Sequence, residues 1–131
     1  MVKRLISSFI FIFVLSSLLH GQSIGGIVNT YTAVTNMSSN SVTVSSVVGF
    51  SVGDRVLLIQ MKGATINQIN NASFGQVVAL GSAGNFEFTN IAAISGNTIT
   101  FVSNLCKPFA VSGKVQLIRV PVYNQATINA V

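Results

Sequence analysis

The chain has 131 residues, 50% of them hydrophobic and only 7% charged, with seven basic side chains against two acidic ones and a formal net charge of +5. A single cysteine excludes an internal disulfide, and bases scattered along the chain exclude the clustered footprint of a nucleic-acid-binding surface. One histidine, His20, and two carboxylates leave zinc sites and histidine-dependent nucleophiles without their parts.

The first predicted element is a leader. Met1-Val2-Lys3-Arg4 is positively charged, Leu5 to Leu19 is apolar without one charge, and His20-Gly21-Gln22-Ser23 supplies small residues at the exit. Charge, apolar core and small-residue exit make a secretory signal peptide, too short to span a bilayer as a stable helix and followed by no stop-transfer cluster. Residues 1–21 or 1–23 are expected to be removed, with cleavage after Gly21 or after Ser23 left open. The export machinery is thus the first expected partner, and the expected destination is the cell surface or the medium. Without the leader the chain keeps Arg55, Lys62, Lys107, Lys114 and Arg119 against Asp54 and Glu87, a net +3. Its high sequence pI therefore reflects scarce acids. The remaining roughly 110 residues, rich in Val, Ile, Thr, Ser, Asn and Gly, suit one β-rich domain.

An internal repeat organises that domain. Tyr31 to Val44 aligns with Phe88 to Phe101 at an offset of 57, with Thr32/Thr89, Ser38/Ser95, Asn40/Asn97 and Thr43/Thr100 identical and Val34/Ile91, Met37/Ile94, Val42/Ile99 and Val44/Phe101 apolar. Phe50 to Ile59 aligns with Phe109 to Ile118 at an offset of 59, which places a two-residue insertion near Asn104 to Pro108. The module is predicted over 24–121, with copy one at 29–61, a connector at 62–85 and copy two at 86–120. Residues 122–131 read as the start of a following β region, and the chain is expected to be a truncated piece of a longer protein.

Each copy carries three strand signals. An alternating run, Thr30–Val34 or Phe86–Ile91, enters a turn at Ser39-Asn40 or Gly96-Asn97, residue types that suit tight hairpins. Val42-Thr-Val44 or Ile99-Thr-Phe101 follows with period-two alternation. The third run, Arg55–Met61 or Lys114–Val120, is more continuously apolar and is predicted to be central. Phe50 and Val52 are expected to plug the core ahead of it, and Pro121 to end the last strand. Two three-stranded units with one apolar face each bury those faces on one another. The expected fold is all-β, a small six-stranded barrel or sandwich with approximate two-fold symmetry and at most one helical turn. Its expected core is Phe50, Val52, Val56, Leu58, Phe109, Val111, Val115 and Leu117.

The amide-rich connector contains the candidate ligand loop, Asn67, Gln68, Asn70 and Asn71, with Ile66, Ile69 and Phe74 expected to tack it down and an extra strand expected at Gln76–Leu80. Asp54 reads as a turn former and Glu87 as an outward strand residue near Arg55 or Lys114, so no catalytic pair is assigned. Cys106 reads as a half-buried apolar residue. No metal or cofactor site is predicted.

Asn29 to Asn36, Gly49 to Ala64, Ser73-Phe-Gly75, Gly84 to Phe88 and Gly113 to Asn124, in this order, resemble the N-terminal region of large surface proteins of gliding bacteria. Such proteins end in a type IX secretion sorting tail or a gliding-motility-associated C-terminal domain. The resemblance implies downstream domains of the same polypeptide as partners, and assigns no activity to this region. Gly53-Asp54 also resembles the Gly-Asp turn of pseudosymmetric psi-type barrels, with Ser112-Gly113 in its place in copy two. The reading is a non-enzymatic structural or adhesive module. The alternative is a glycan-binding or accessory domain of an exported polysaccharide-acting enzyme, with surface glycans as partners and Tyr31 or Tyr123 as the stacking platform.

Overall fold

The alternating runs become strands in the computed structural model, which describes residues 22–26 and 28–129; most of the expected leader lies outside them. The strands are β1 (Gln22–Ile24), β2 (Tyr31–Met37), β3 (Ser41–Val44), β4 (Arg55–Gln60), β5 (Thr65–Ile66), β6 (Val77–Ala79), β7 (Phe86–Ser95), β8 (Thr98–Phe101), β9 (Val115–Arg119) and β10 (Ala126–Ile128). A single 3-10 turn, Val111–Gly113, is the one helical element among the described residues.

Two compact units result. Asn29–Pro121 forms one, and the described residues up to Val28 and from Val122 form the other. In the second unit β1 and β10 pair in parallel, with Gln22 opposite Ala126 and Ile24 opposite Ile128. Residues 24–26 and 28, expected within the module, therefore group with β10, the last strand among the described residues.

In the larger unit six strands close into a barrel in the order β2-β3-β8-β7-β4-β9, every ladder antiparallel. Closure removes the sheet edges that an open six-stranded sheet would expose. The repeat explains the order. Val42 lies opposite Ile99 on the β3–β8 ladder, and Leu58 opposite Leu117 on the β4–β9 ladder. Each of these residues thus faces its own counterpart, and the pseudo-two-fold axis passes through both pairs. The hairpins β2–β3 and β7–β8 match register for register. Each carries one bulge, between Val34 and Asn36 and between Ile91 and Ala93, at equivalent positions. Such bulges add the local bend that closing a barrel requires.

The core is made of counterparts. Val34/Ile91, Val42/Ile99, Val44/Phe101, Val56/Val115 and Leu58/Leu117 are all buried. Full burial of each such side chain contributes about 1.5–3 kcal/mol. Phe50 is buried, whereas its counterpart Phe109 and Val111 pack on the core while only partly buried. Val52, expected in the core, is 63% exposed. The Asp54 carboxylate accepts the Ser51 amide at 2.8 Å and Ser51 O accepts the Asp54 amide at 3.1 Å. Residues 51–54 therefore turn sharply, with Val52 at the outward apex.

The symmetry fails in three places. The β4–β7 ladder runs over five pairs from Arg55 opposite Asn90 to Ile59 opposite Phe86, whereas β2–β9 has three, from Tyr31 opposite Ile118 to Ala33 opposite Gln116. Its register is also displaced by two residues from the symmetric one, an even slip that keeps every side chain on its face. Thr32 Oγ1 accepts the Ser46 amide at 3.1 Å, while the counterpart Thr89 Oγ1 is buried without a partner. Gln60 is buried and fixes one end of the barrel through Ala110 N–H donating to its Oε1 at 2.8 Å and its Nε2 donating to Lys62 O at 2.6 Å. Its counterpart Arg119 keeps a buried, unpartnered Nε.

Candidate functional site

The connector between the copies is a projecting hairpin. Strands β5 and β6 pair antiparallel, Thr65 opposite Ala79 and Ile66 opposite Val77, around a loop over 67–76. Its root is bolted to the barrel by Met61 N–H donating to Lys114 O at 3.1 Å, Lys62 N–H to Gly113 O at 2.7 Å and Gly84 N–H to Gln60 O at 2.9 Å. At the neck the two backbones touch: a Cβ on Gly81 would stand 2.5 Å from Gly63 O, and both glycines have positive φ. Side chains at either position would push the strands apart, so glycine is required there.

The predicted ligand residues separate into two roles. Asn67 Oδ1 accepts the Ile69 amide and Asn71 Oδ1 the Ser73 amide, each at 2.9 Å. These are Asx turns, in which an asparagine holds its own loop by bonding two residues ahead. Gln68 and Asn70 are exposed. Neither of them is held by a side-chain hydrogen bond, whereas Asn67 and Asn71 commit their Oδ1 to the loop's own backbone.

The apolar residues of the connector do not tack it down. Ile66 is 45% exposed, Ile69 68% and Phe74 65%, and Val77, Val78 and Leu80 are exposed with them. The closed barrel explains the departure, because it presents no open apolar face on which a connector rooted at one end could lie. No charged residue occurs between Lys62 and Glu87. The arm is a neutral, apolar surface with both outer strand edges unpaired. Apolar patches of this kind mark interaction surfaces, and a two-stranded ribbon is marginal by itself.

The carboxylates serve the backbone. Glu87 accepts the Cys106 amide at 2.9 Å and the Lys107 amide at 3.0 Å, clamping the two-residue insertion of copy two. Asn85 Nδ2 donates to Pro108 O at 2.8 Å, and Lys107 Nζ lies 4.6 Å from the centre of the Phe86 ring. The expected neighbours of Glu87 are thus replaced by loop amides; Arg55 instead stands over the Phe88 ring at 5.1 Å. Cys106 is exposed, not half-buried, because the clamp holds its backbone on the outside. Asp54 and Glu87 sit four ladder positions apart, roughly 13 Å of strand, wider than a glycosidase carboxyl pair. Among the described residues no three His, Cys, Asp or Glu side chains gather.

A cleft opens where the short β2–β9 ladder ends. It has a volume of about 400 Å³, with Val34, Val111 and Val115 as its apolar wall and Thr35, Lys114 and Gln116 at its polar rim. Lys114 has φ 58°, the one positive φ outside glycine among the described residues. Its amide donates to Val111 O at 3.0 Å as the chain leaves the 3-10 turn. At the equivalent positions of the longer β4–β7 ladder the pairing continues past Arg55 and Asn90, with Ile91 N–H donating to Asp54 O at 3.0 Å.

Of the stacking residues expected for a glycan, Tyr31 is 68% exposed on β2, while Tyr123 belongs to the smaller unit. Phe74, inside the loop itself, is the aromatic that lies nearest in sequence to the free amides, and the sequence reading assigned it an anchoring role. No family model and no curated protein matches the sequence. Among solved structures the chain is similar to the Gp54 tailspike of Acinetobacter baumannii bacteriophage AP22, determined in complex with A. baumannii capsular saccharide. The identity is 17% and the TM-score 0.48, and the match covers 77% of this chain and 16% of the tailspike chain. The chain therefore spans a small part of that tailspike's length.

Proposed function

We propose that this chain is an exported, non-enzymatic structural or adhesive module of a bacterial cell-surface protein, and that the arm over 61–81 is its contact surface. The observation that carries this reading is the arm itself. It puts Ile66, Ile69, Phe74, Val77, Val78 and Leu80 in solvent on a neutral ribbon bolted to a closed barrel. Burying them against a partner removes apolar area from water at about 25 cal/mol per Å². The commitment of both carboxylates to backbone amides and the resemblance to surface proteins of gliding bacteria support the same reading. The test replaces residues 64–80 by a short Gly-Asn-Gly turn, leaving the barrel strands intact. Beads carrying the mature chain are expected to adhere to bacterial cells or their extracellular matrix, and beads carrying the shortened chain to adhere at least tenfold less, with an unchanged thermal midpoint. Equal adhesion by both would refute the assignment.

A second reading, glycan binding, has one observation in its favour: Gln68 and Asn70 present free amides on the same loop as the exposed Phe74 ring. Aromatic faces and amides together suit the apolar faces and hydroxyls of a sugar. On a glycan array this reading requires binding that disappears in a Gln68→Ala/Asn70→Ala double variant and in Phe74→Ala.

A further inference from the structure

We infer that copies of this chain associate head to tail, the arm of one molecule inserting Phe74 and its neighbour Ile69 into the seam cleft of the next. This deepens the reading of the arm as a contact surface and rests on it. The molecule carries both halves of the contact. The knob is Phe74, 65% exposed, beside Ile69 at 68%. The hole is the cleft of about 400 Å³, floored by the buried core residues Val34 and Val115 with the half-buried Val111 beside them. An apolar cavity of about 150 Å³ already admits a benzene ring, so the cleft has room for a phenyl group with an aliphatic neighbour.

Charge selects the occupant. The arm has no ionisable side chain between Lys62 and Glu87, so it carries no ion of its own into the cleft. The rim's one cation, Lys114, favours an aromatic face, which attracts an ammonium by about 0.5–2 kcal/mol depending on desolvation. An arm folding back onto its own cleft is opposed by the root. Met61, Lys62 and Gly84 are each hydrogen-bonded into the barrel, and the Gly63 and Gly81 backbones touch at the neck. Phe74 does not line the cleft of its own molecule. One knob in one hole leaves a free knob and a free hole, so head-to-tail repetition gives a ring or an open filament, whereas reciprocal insertion about a two-fold axis would close a dimer.

The test is sedimentation of the mature chain across a wide concentration range, with two variants. Phe74→Asp removes the knob and keeps the hole. Ala33→Trp, at an exposed position lining the cleft, fills the hole and keeps the knob. Wild type is expected to form species larger than dimers as concentration rises. Each variant alone is expected to stay monomeric, and an equimolar mixture to give a dimer that grows no further, because one hole and one knob remain. If Ala33→Trp fails to fold, Thr35→Trp fills the same cleft from the bulge. A wild-type chain that stays monomeric, or that stops at a closed dimer at every concentration, overturns the inference. Bead adhesion separates the two proposals: loss of assembly with retained arm-dependent adhesion removes the head-to-tail contact alone, whereas assembly without adhesion to cells or matrix removes the adhesive reading and keeps the contact.

Discussion

Leu58 and Leu117 face one another on the β4–β9 ladder, both fully buried, at the point where the pseudo-two-fold axis crosses the sheet. Truncating either to alanine removes three carbons from the barrel centre. Leu→Ala changes at buried sites cost about 2–5 kcal/mol, the spread reflecting how far the surroundings collapse. Both flanks here are strands hydrogen-bonded on each side within a closed barrel, which resists collapse, so the upper half of that range applies, about 4 kcal/mol. For a domain of this size each kcal/mol moves the midpoint by roughly 4–8 °C, so Leu58→Ala is expected to lower it by roughly 16–32 °C. Leu117→Ala should cost the same within about 1 kcal/mol, since it empties the same space from the other side. The double variant should lose less than the two single losses together, because residues that share one cavity are coupled by about 0.5–3 kcal/mol. Urea unfolding followed by far-ultraviolet circular dichroism measures each value, with Val52→Ala as an exposed control expected within about 0.5 kcal/mol of wild type. A loss below about 1 kcal/mol for Leu58→Ala, or a gap above about 2 kcal/mol between the two leucines, would refute the shared-core picture.

Three further expectations probe where the copies diverge. Phe50→Ala should destabilise by about 3–5 kcal/mol, and Phe109→Ala by less, since Phe109 is only partly buried; equal losses in thermal unfolding would contradict that asymmetry. Thr32→Val should cost about 1 kcal/mol by leaving the Ser46 amide without its acceptor, whereas Thr89→Val, which removes an unpartnered buried hydroxyl, should be neutral or stabilising. Matching losses in the two valine variants would count against this assignment. Glu87→Ala should speed hydrogen exchange at the Cys106 and Lys107 amides by at least tenfold and leave exchange in the β3–β8 ladder unchanged, and unaltered exchange at both amides would sink the clamp.

Much of the barrel is legible in the sequence because a duplicated β unit writes its core twice. An apolar residue found at both offsets, such as Val42 with Ile99 or Val56 with Val115, has its inward direction confirmed by its counterpart. The turn types and the bound of a single helical turn follow from local chemistry in the same way. Val52 escaped because alternation alone points it inward, while the Asp54 carboxylate bends the chain beneath it. The exposure of Ile66, Ile69 and Phe74 escaped for another reason: apolar residues are buried only where a surface exists to cover them, and closure of the barrel is a property of all six strands together. Of the four loop amides, Asn67 and Asn71 carried a readable signal in the spacing Asn67-x-Ile69 and Asn71-x-Ser73, the two-residue reach of an Asx turn. The clamp by Glu87 left a fainter one. Asn85-Phe86-Glu87 departs from Val28-Asn29-Thr30 of copy one just where copy two also gains two residues, but pairing across nineteen positions is fixed only by the fold.

The distribution of symmetry and asymmetry bears on function. Most apolar positions that agree between the copies point inward or set the hairpins, with Tyr31/Phe88 and Val52 as exposed exceptions. Three exposed features fall where the copies disagree or where no second copy exists. The arm lies between the units, the cleft opens at the shorter of two unequal ladders, and the clamped loop is the insertion of copy two. A strictly symmetric barrel would have two equivalent seams, either both shut or both open, and any self-contact through them would branch. One slipped register leaves a single open seam beside a single arm. A molecule with one knob and one hole would extend head to tail as an unbranched chain or ring, an assembly open to a duplicated barrel only where its symmetry is broken.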